Sequence, residues 1–255
     1  MNKAFLRLHN FQISESELTK LSLDQQATFA LFCYAVSEVN CLQRLSLFSN
    51  DVDWEEPEIV AASGIQTCLL LRTISSKLFE LRELLTFYGK YNKTKDADLL
   101  EFGRRAKKRF QISDAHEGFE VAKRMRHEAT FHYQLKPTRT RILDVPDDAI
   151  RSLYMHETPG NQFFPYGEEA IFVSMLDEIA NESDKSMVAG DVIKAWAEWT
   201  LEAIRAANDL FSDFFVSFVE PHTNGRKPKE ASYWLDPSLV GTVGEYKTPV
   251  FVRQE

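Results

Sequence analysis

The stretch DVIKAWAEWTLEAIRAANDLFSDFFVSFV, from Asp191 to Val219, repeats Ile193, Trp196, Thr200, Ile204, Ala207, Phe211, Phe214 and Phe218 at helical spacing. An aromatic stripe this long must be buried, and helices of comparable length are the partners that can cover it. The remaining sequence supplies them. Ser22 precedes LDQQATFALFCYAVSEVNCLQRLSLF with Gln25 three residues on, the pattern of a reciprocal helix cap. EPEIVAASGIQTCLLLRTISSKLFELRELLTFYG opens with acids and Pro57 and closes at Gly89, which predicts a second long helix. ADLLEFGRRAKKRF is a third, and a fourth is predicted from a cap at Ser113 to about Leu135, because Pro137 disfavours helical geometry at Lys136.

The predicted fold is therefore all-α, a bundle of four to five long helices with a mixed insertion at about residues 137–185. In that insertion TPGN reads as a turn, and FFPYGEEAIFVSMLDEIA as an extended piece passing into a helix. The helical domain spans residues 1–220, and the polar tail, residues 221–255, packs on the body or is ordered by a partner. Three cysteines without CxxC spacing argue against a disulfide framework or a zinc cluster. The opening MNKAFLRLHNFQ has too short an apolar run for a secretory signal, and no charge-free stretch is long enough to span a bilayer, so the expected location is cytoplasmic, without membrane association.

A net charge of −8 makes the chain as a whole a poor partner for a polyanion, but the charge is unevenly spread. Residues 103–141 hold eleven Lys or Arg against four acids, so this segment carries +7 and the remainder −15. Arg104, Arg105, Lys107, Lys108 and Arg124 are the candidate phosphate contacts within it; a solvated helix face is the alternative reading of the same run.

The same segment contains RMRHEATFHY. A metalloprotease helix needs two histidines four residues apart; His127 and His132 are five apart and diverge by about 140° around a helix, so they cannot converge on one metal. On the predicted fourth helix, Gly118, Ala122, Met125 and Ala129 share an apolar face whose polar exceptions past the first turn are Arg126 and His132. An arginine in that position requires compensation: either an internal acid such as Glu80 or Glu83, or a phosphate. Histidine titrates near neutrality and can move a proton. Six residues separate the pair by about 9 Å of rise and about 120° of direction, so a two-fold homodimer packed on the small residues Gly118, Ala122 and Ala129 would better gather both groups into one cleft.

Arg126, His127 and His132, spelled R-H-E-A-T-F-H near a helix end in an all-helical chain, resemble the signature of the HEPN superfamily: Arg, a polar residue, then His after a short gap. Arg109 to His116 and Arg151 to His156 have similar spacing, but Phe110 and Ser152 stand where the pattern has Asn, Asp or His, the first pair straddles the helix break at Ser113, and the second ends at the TPG turn. The helix-two text LLLRTISSKLFELRELL, which includes Glu80, also looks like abortive-infection members, and the resemblance covers about residues 22–220. It implies a dimeric bundle acting as a metal-independent RNA endonuclease in toxin–antitoxin or antiviral defence, with an antitoxin or other regulatory protein as a further partner and no cofactor. His132 would be the general acid or base, Arg126 would stabilise phosphoryl charge, and His127 would orient the phosphate. The resemblance equally admits an inactive HEPN-like dimer that binds a protein or a nucleotide through the same cleft.

Overall fold

A computed structural model describes residues 4–49, 55–127, 135–147, 149–183, 188–241 and 248–251. Ser22 and Gln25 form the expected reciprocal cap: the Gln25 N–H donates to Ser22 Oγ at 3.2 Å, and the Ser22 N–H to Gln25 Oε1 at 3.1 Å. They open α2 (Leu23–Ser49), which follows a short strand, β1 (Ala4–Asn10), and a single turn, α1 (Glu15–Leu18). Pro57 sits at the first position of α3 (Pro57–Leu85), where its missing N–H costs nothing. Asp96 caps α4 (Ala97–Asp114), and its carboxylate also accepts hydrogen bonds from Ser22 Oγ at 2.6 Å and Gln25 Nε2 at 3.0 Å. The starts of α2 and α4 are thereby laced together.

The predicted fourth helix is divided. α4 runs on through Ser113 to Asp114, so Ser113 caps nothing. The chain breaks at residues 115–117 and restarts as α5 (Gly118–Met125), with the Gly118 N–H donating to His116 Nδ1 at 3.0 Å. Arg126 and His127 follow in a π-helical turn, and residues 128–134, which include His132 and Ala129, lie outside the described residues. Pro137 does not exclude a helix either. Lys136 and Pro137 both lie in α6 (Leu135–Arg141).

The segment expected to begin extended is helical from Pro165: α7 (Pro165–Glu168), a π-helical turn over residues 169–173, and α8 (Ser174–Ser183). Aromatic Tyr154 and Phe163 flank the TPGN turn in an isolated antiparallel bridge. α9 (Ala189–Phe214), continued by a π-helical turn to Val219, is the central element, packing against α2, α3, α4, α5 and α8. Its predicted stripe faces inward, with Trp196, Thr200, Ile204, Ala207, Phe214 and Phe218 buried and Ile193 and Phe211 partly so. The tail contributes β2 (Lys229–Leu235), which pairs antiparallel with β1 from Ala4 opposite Leu235 to Asn10 opposite Lys229. The protein is predominantly helical, as expected, with this one ribbon added.

α3 is long and apolar enough, by length and composition, to cross a membrane. In this fold it is a bundle helix, packed on α2, α4, α5 and α9 and carrying the buried Arg72 in a two-bond pair with Glu168.

The face of small residues expected to meet a second copy is covered within the chain. A Cβ built on Gly118 would lie 2.1 Å from the Ala195 carbonyl oxygen, and Ala122 is fully buried. α5 packs on α9 there, so this face is not available to a second copy. Ala122→Trp, or Gly118→Ala alone, is expected to destabilise the monomer fold by about 1–3 kcal/mol or more through overpacking. Thermal melts should show this as a lowered Tm; an unchanged Tm with altered oligomeric state would contradict the α5–α9 packing.

Candidate functional site

Three aromatic rings form the floor beneath Arg126. Phe79 of α3, Phe119 of α5 and Trp199 of α9 lie with centroids 5.4–6.1 Å apart. They meet because Phe79 and Trp199 occupy facing apolar stripes and Gly118 lets α5 descend onto α9 next to Phe119. Cations cover the floor: Arg126 lies over Phe79 at 5.4 Å, Arg82 over Phe119 at 5.2 Å and Lys123 over Phe119 at 5.9 Å. Each such contact adds about 0.5–2 kcal/mol, depending on exposure.

The acids that meet these cations distinguish them. Arg82 is closed by a bidentate pair with Asp114, at 2.9 and 2.6 Å. Burial pushes the Asp114 carboxyl up, and the Arg82 charge works against that rise. Arg72 is closed in the same way by Glu168, at 3.2 and 3.1 Å, with its guanidinium also over Phe172. Among the described residues Arg126 has one carboxylate bond, from Nη1 to Glu83 Oε1 at 3.1 Å, and its side chain is 22% exposed. One of the two acids considered from sequence, Glu83, is thus its partner. A guanidinium carries further N–H donors beyond one such bond, the groups a planar oxyanion would take. His127, the next residue, is exposed beside it.

The other predicted phosphate contacts are not gathered around Arg126. Arg124 turns to α8, with Nη1 at 2.8 Å from Glu182 and Nη2 at 3.1 Å from Glu178; Glu178 also meets the buried Arg141 at 3.4 Å. Arg105 reaches Ser217 Oγ, at 3.4 Å, on the extension of α9. Arg104 pairs with Glu101 on its own helix, while Lys107 and Lys108 are exposed on the same helix. Arg109, a further basic residue of the run, is bonded to Asp209 at 2.8 Å. The run of positive charge in the sequence is therefore dispersed over several elements, and much of it is answered from within. No group of three or more His, Cys, Asp or Glu is assembled for a metal among the described residues.

One basic feature close to Arg126 was not singled out from sequence. α3 ends with the Tyr88 N–H donating to the Glu83 carbonyl at 3.0 Å, so the residue that holds Arg126 also anchors the following loop, YGKYNKTK. Two tyrosines and three lysines without an acid over residues 88–95 were the legible signal. Comparison of the chain with family models, with curated proteins and with solved structures found no match.

The geometry makes Arg126 cheap to replace structurally. Its ion pair is partly exposed, so Arg126→Lys is expected to cost no more than about 1 kcal/mol, which urea denaturation can measure. A loss of several kcal/mol would mean that Arg126 is chiefly a structural clamp. The Cys68 thiol, by contrast, is pushed up to about 11 by burial, so at pH 8 it stays protonated and iodoacetamide should label exposed Cys41 first. Mass spectrometry showing equal labelling of Cys68 in the folded protein would contradict this packing.

Proposed function

We propose that this chain is an RNA endonuclease of the HEPN type, a toxin or antiviral-defence effector, centred on Arg126. The observation that carries the reading is the single-bonded guanidinium: of Arg72, Arg82 and Arg126, it alone has, among the described residues, one bond to its carboxylate rather than two, and it stands next to an exposed histidine. The aromatic floor and Glu83 fix its orientation before substrate arrives, so little entropy is lost when a phosphate binds. In the proposed reaction the 2′-hydroxyl of the substrate attacks the adjacent phosphorus, displacing the 5′-oxygen of the next nucleotide and leaving a 2′,3′-cyclic phosphate. Arg126 stabilises charge growing on the non-bridging oxygens, His127 orients them, and His132 moves the proton. A homodimer, formed through a surface other than the α5 face covered by α9, supplies the second copy of the site.

A second reading, an inactive dimer of the same type that binds a protein or a nucleotide, is favoured by the internal pairing of Arg104, Arg109 and Arg124. Pairing of this kind lowers the charge offered to a polyanion.

Incubation of the purified protein with total RNA in EDTA separates the two. Cleavage to 2′,3′-cyclic phosphate ends is expected, reduced at least about 100-fold by Arg126→Ala or His132→Ala, with circular dichroism unchanged. His116→Ala and His156→Ala should cleave as wild type. Intact RNA under all conditions would leave the binding module, and wild-type cleavage by Arg126→Ala would remove this site.

A further inference from the structure

The loop between α3 and α4 is built to present rather than to connect. Phe87 takes a left-handed backbone, φ 51°, that a non-glycine residue adopts only when its surroundings hold it there. Those surroundings are visible: the Phe87 ring lies 2.8 Å from where a Cβ on Gly103 would stand, so the absence of a side chain at residue 103 is what admits it to the core margin. With Phe87 turned inward and Gly89 at φ +86°, the chain reverses and Tyr88 and Tyr91 point outward, 72% and 92% exposed. The far end is also fixed, because Thr94 Oγ1 donates to Asp24 Oδ2 at 2.5 Å and accepts from the Asp96 N–H at 3.0 Å. Between these anchors stand Lys90, Lys93 and Lys95, with the Lys90 ammonium 5.6 Å from the Tyr91 ring centre.

Two large rings left in water at the tip of an anchored loop have lost hydrophobic stabilisation that burial would provide. Interleaved with lysines, they match what an unpaired nucleic-acid strand needs, flat faces for bases and charges for the phosphates between them. We propose that residues 88–95 form a single-stranded RNA-binding platform, on which bases stack on Tyr88 and Tyr91 while Lys90, Lys93 and Lys95 track the backbone. The Tyr88 N–H is bonded to the carbonyl of Glu83, whose carboxylate meets Arg126, so the loop leaves α3 about one helical turn beyond the partner of that arginine. RNA as the polymer rests on the proposed nuclease reading; the platform itself rests on the loop.

The test separates binding from cleavage. A fluorescein-labelled 2′-O-methyl oligoribonucleotide lacks the attacking hydroxyl and reports binding alone by anisotropy. Wild type should bind it, and a duplex of the same sequence more weakly. The double variant Tyr88→Ala, Tyr91→Ala should weaken binding by at least about tenfold with an unchanged salt slope. The triple variant Lys90→Ala, Lys93→Ala, Lys95→Ala should reduce the slope of log affinity against log salt by about two. Binding without cleavage of natural RNA would support the platform and sink the nuclease. Absent binding, equal affinity for duplex, or wild-type affinity in the tyrosine variant whose melting is unchanged would overturn the platform.

Discussion

The fully buried Trp196 indole on α9 must find an acceptor for its N–H, and it donates to Ser75 Oγ of α3 at 2.8 Å. Leaving such a donor unpaired would cost about 1–3 kcal/mol, so this bond fixes the rotation of α9 against α3. Thr200, one turn on, returns its hydroxyl to the Trp196 carbonyl at 2.8 Å and approaches Ser75 at 3.4 Å. Once that rotation is set, Trp199 meets Phe79, Ala195 turns its carbonyl to the glycine of α5, and the floor beneath Arg126 follows. The position of the candidate site is thus a consequence of core packing.

Burial explains one of the arginines and not the other two. A guanidinium taken nearly out of water, such as Arg72, needs a full two-bond partner, since its desolvation is otherwise uncompensated. Arg82, 27% exposed, is paired as fully, whereas Arg126, 22% exposed, has among the described residues one bond and a ring face, so the placement of the facing acid sets the difference. A site meant to exchange water for a phosphate gains from an arginine of the second kind, because displacing a full internal pair would cost most of the energy of the new contact. Glu83 is itself half-exposed and sits at the end of a helix, where a small movement suffices to release it.

The bundle was legible where the controlling physics is local. The α9 stripe, the cap at Ser22 and Pro57 at the head of α3 each act within a turn or two of helix, and each falls where expected. The break before Gly118 was not legible, because it answers to the backbone of α9 across the core. Pro137 was read as a stop, yet Lys136 and Pro137 both lie in a helix, a local preference overridden by the surrounding fold. Arg126 could be flagged, and Glu83 foreseen as one possible partner, but the number of bonds between them depends on tertiary placement. His132 falls outside the described residues, and nothing in the fold bears on its pairing with Arg126. The tyrosine loop carries no helical periodicity, and its three lysines are few beside the eleven basic residues of the run downstream.

The β1–β2 ribbon joins the two ends of the chain, anchored at its base by Arg226, which bonds to Glu17 at 2.9 Å and to the Gln12 carbonyl. Nearly the whole chain separates the two strands, and their pairing depends on the bundle having already brought them together. During synthesis at roughly 5–20 residues per second, β1 therefore waits for tens of seconds as an unpaired apolar segment until β2 leaves the ribosome. Its apolar residues alternate with Arg7 and His9, so the waiting strand exposes a charge or an imidazole beside each leucine. Closure of the ribbon then marks that the whole bundle has been made: a chain truncated before Lys229 would keep its bundle sequence yet leave β1 open to chaperones and proteases.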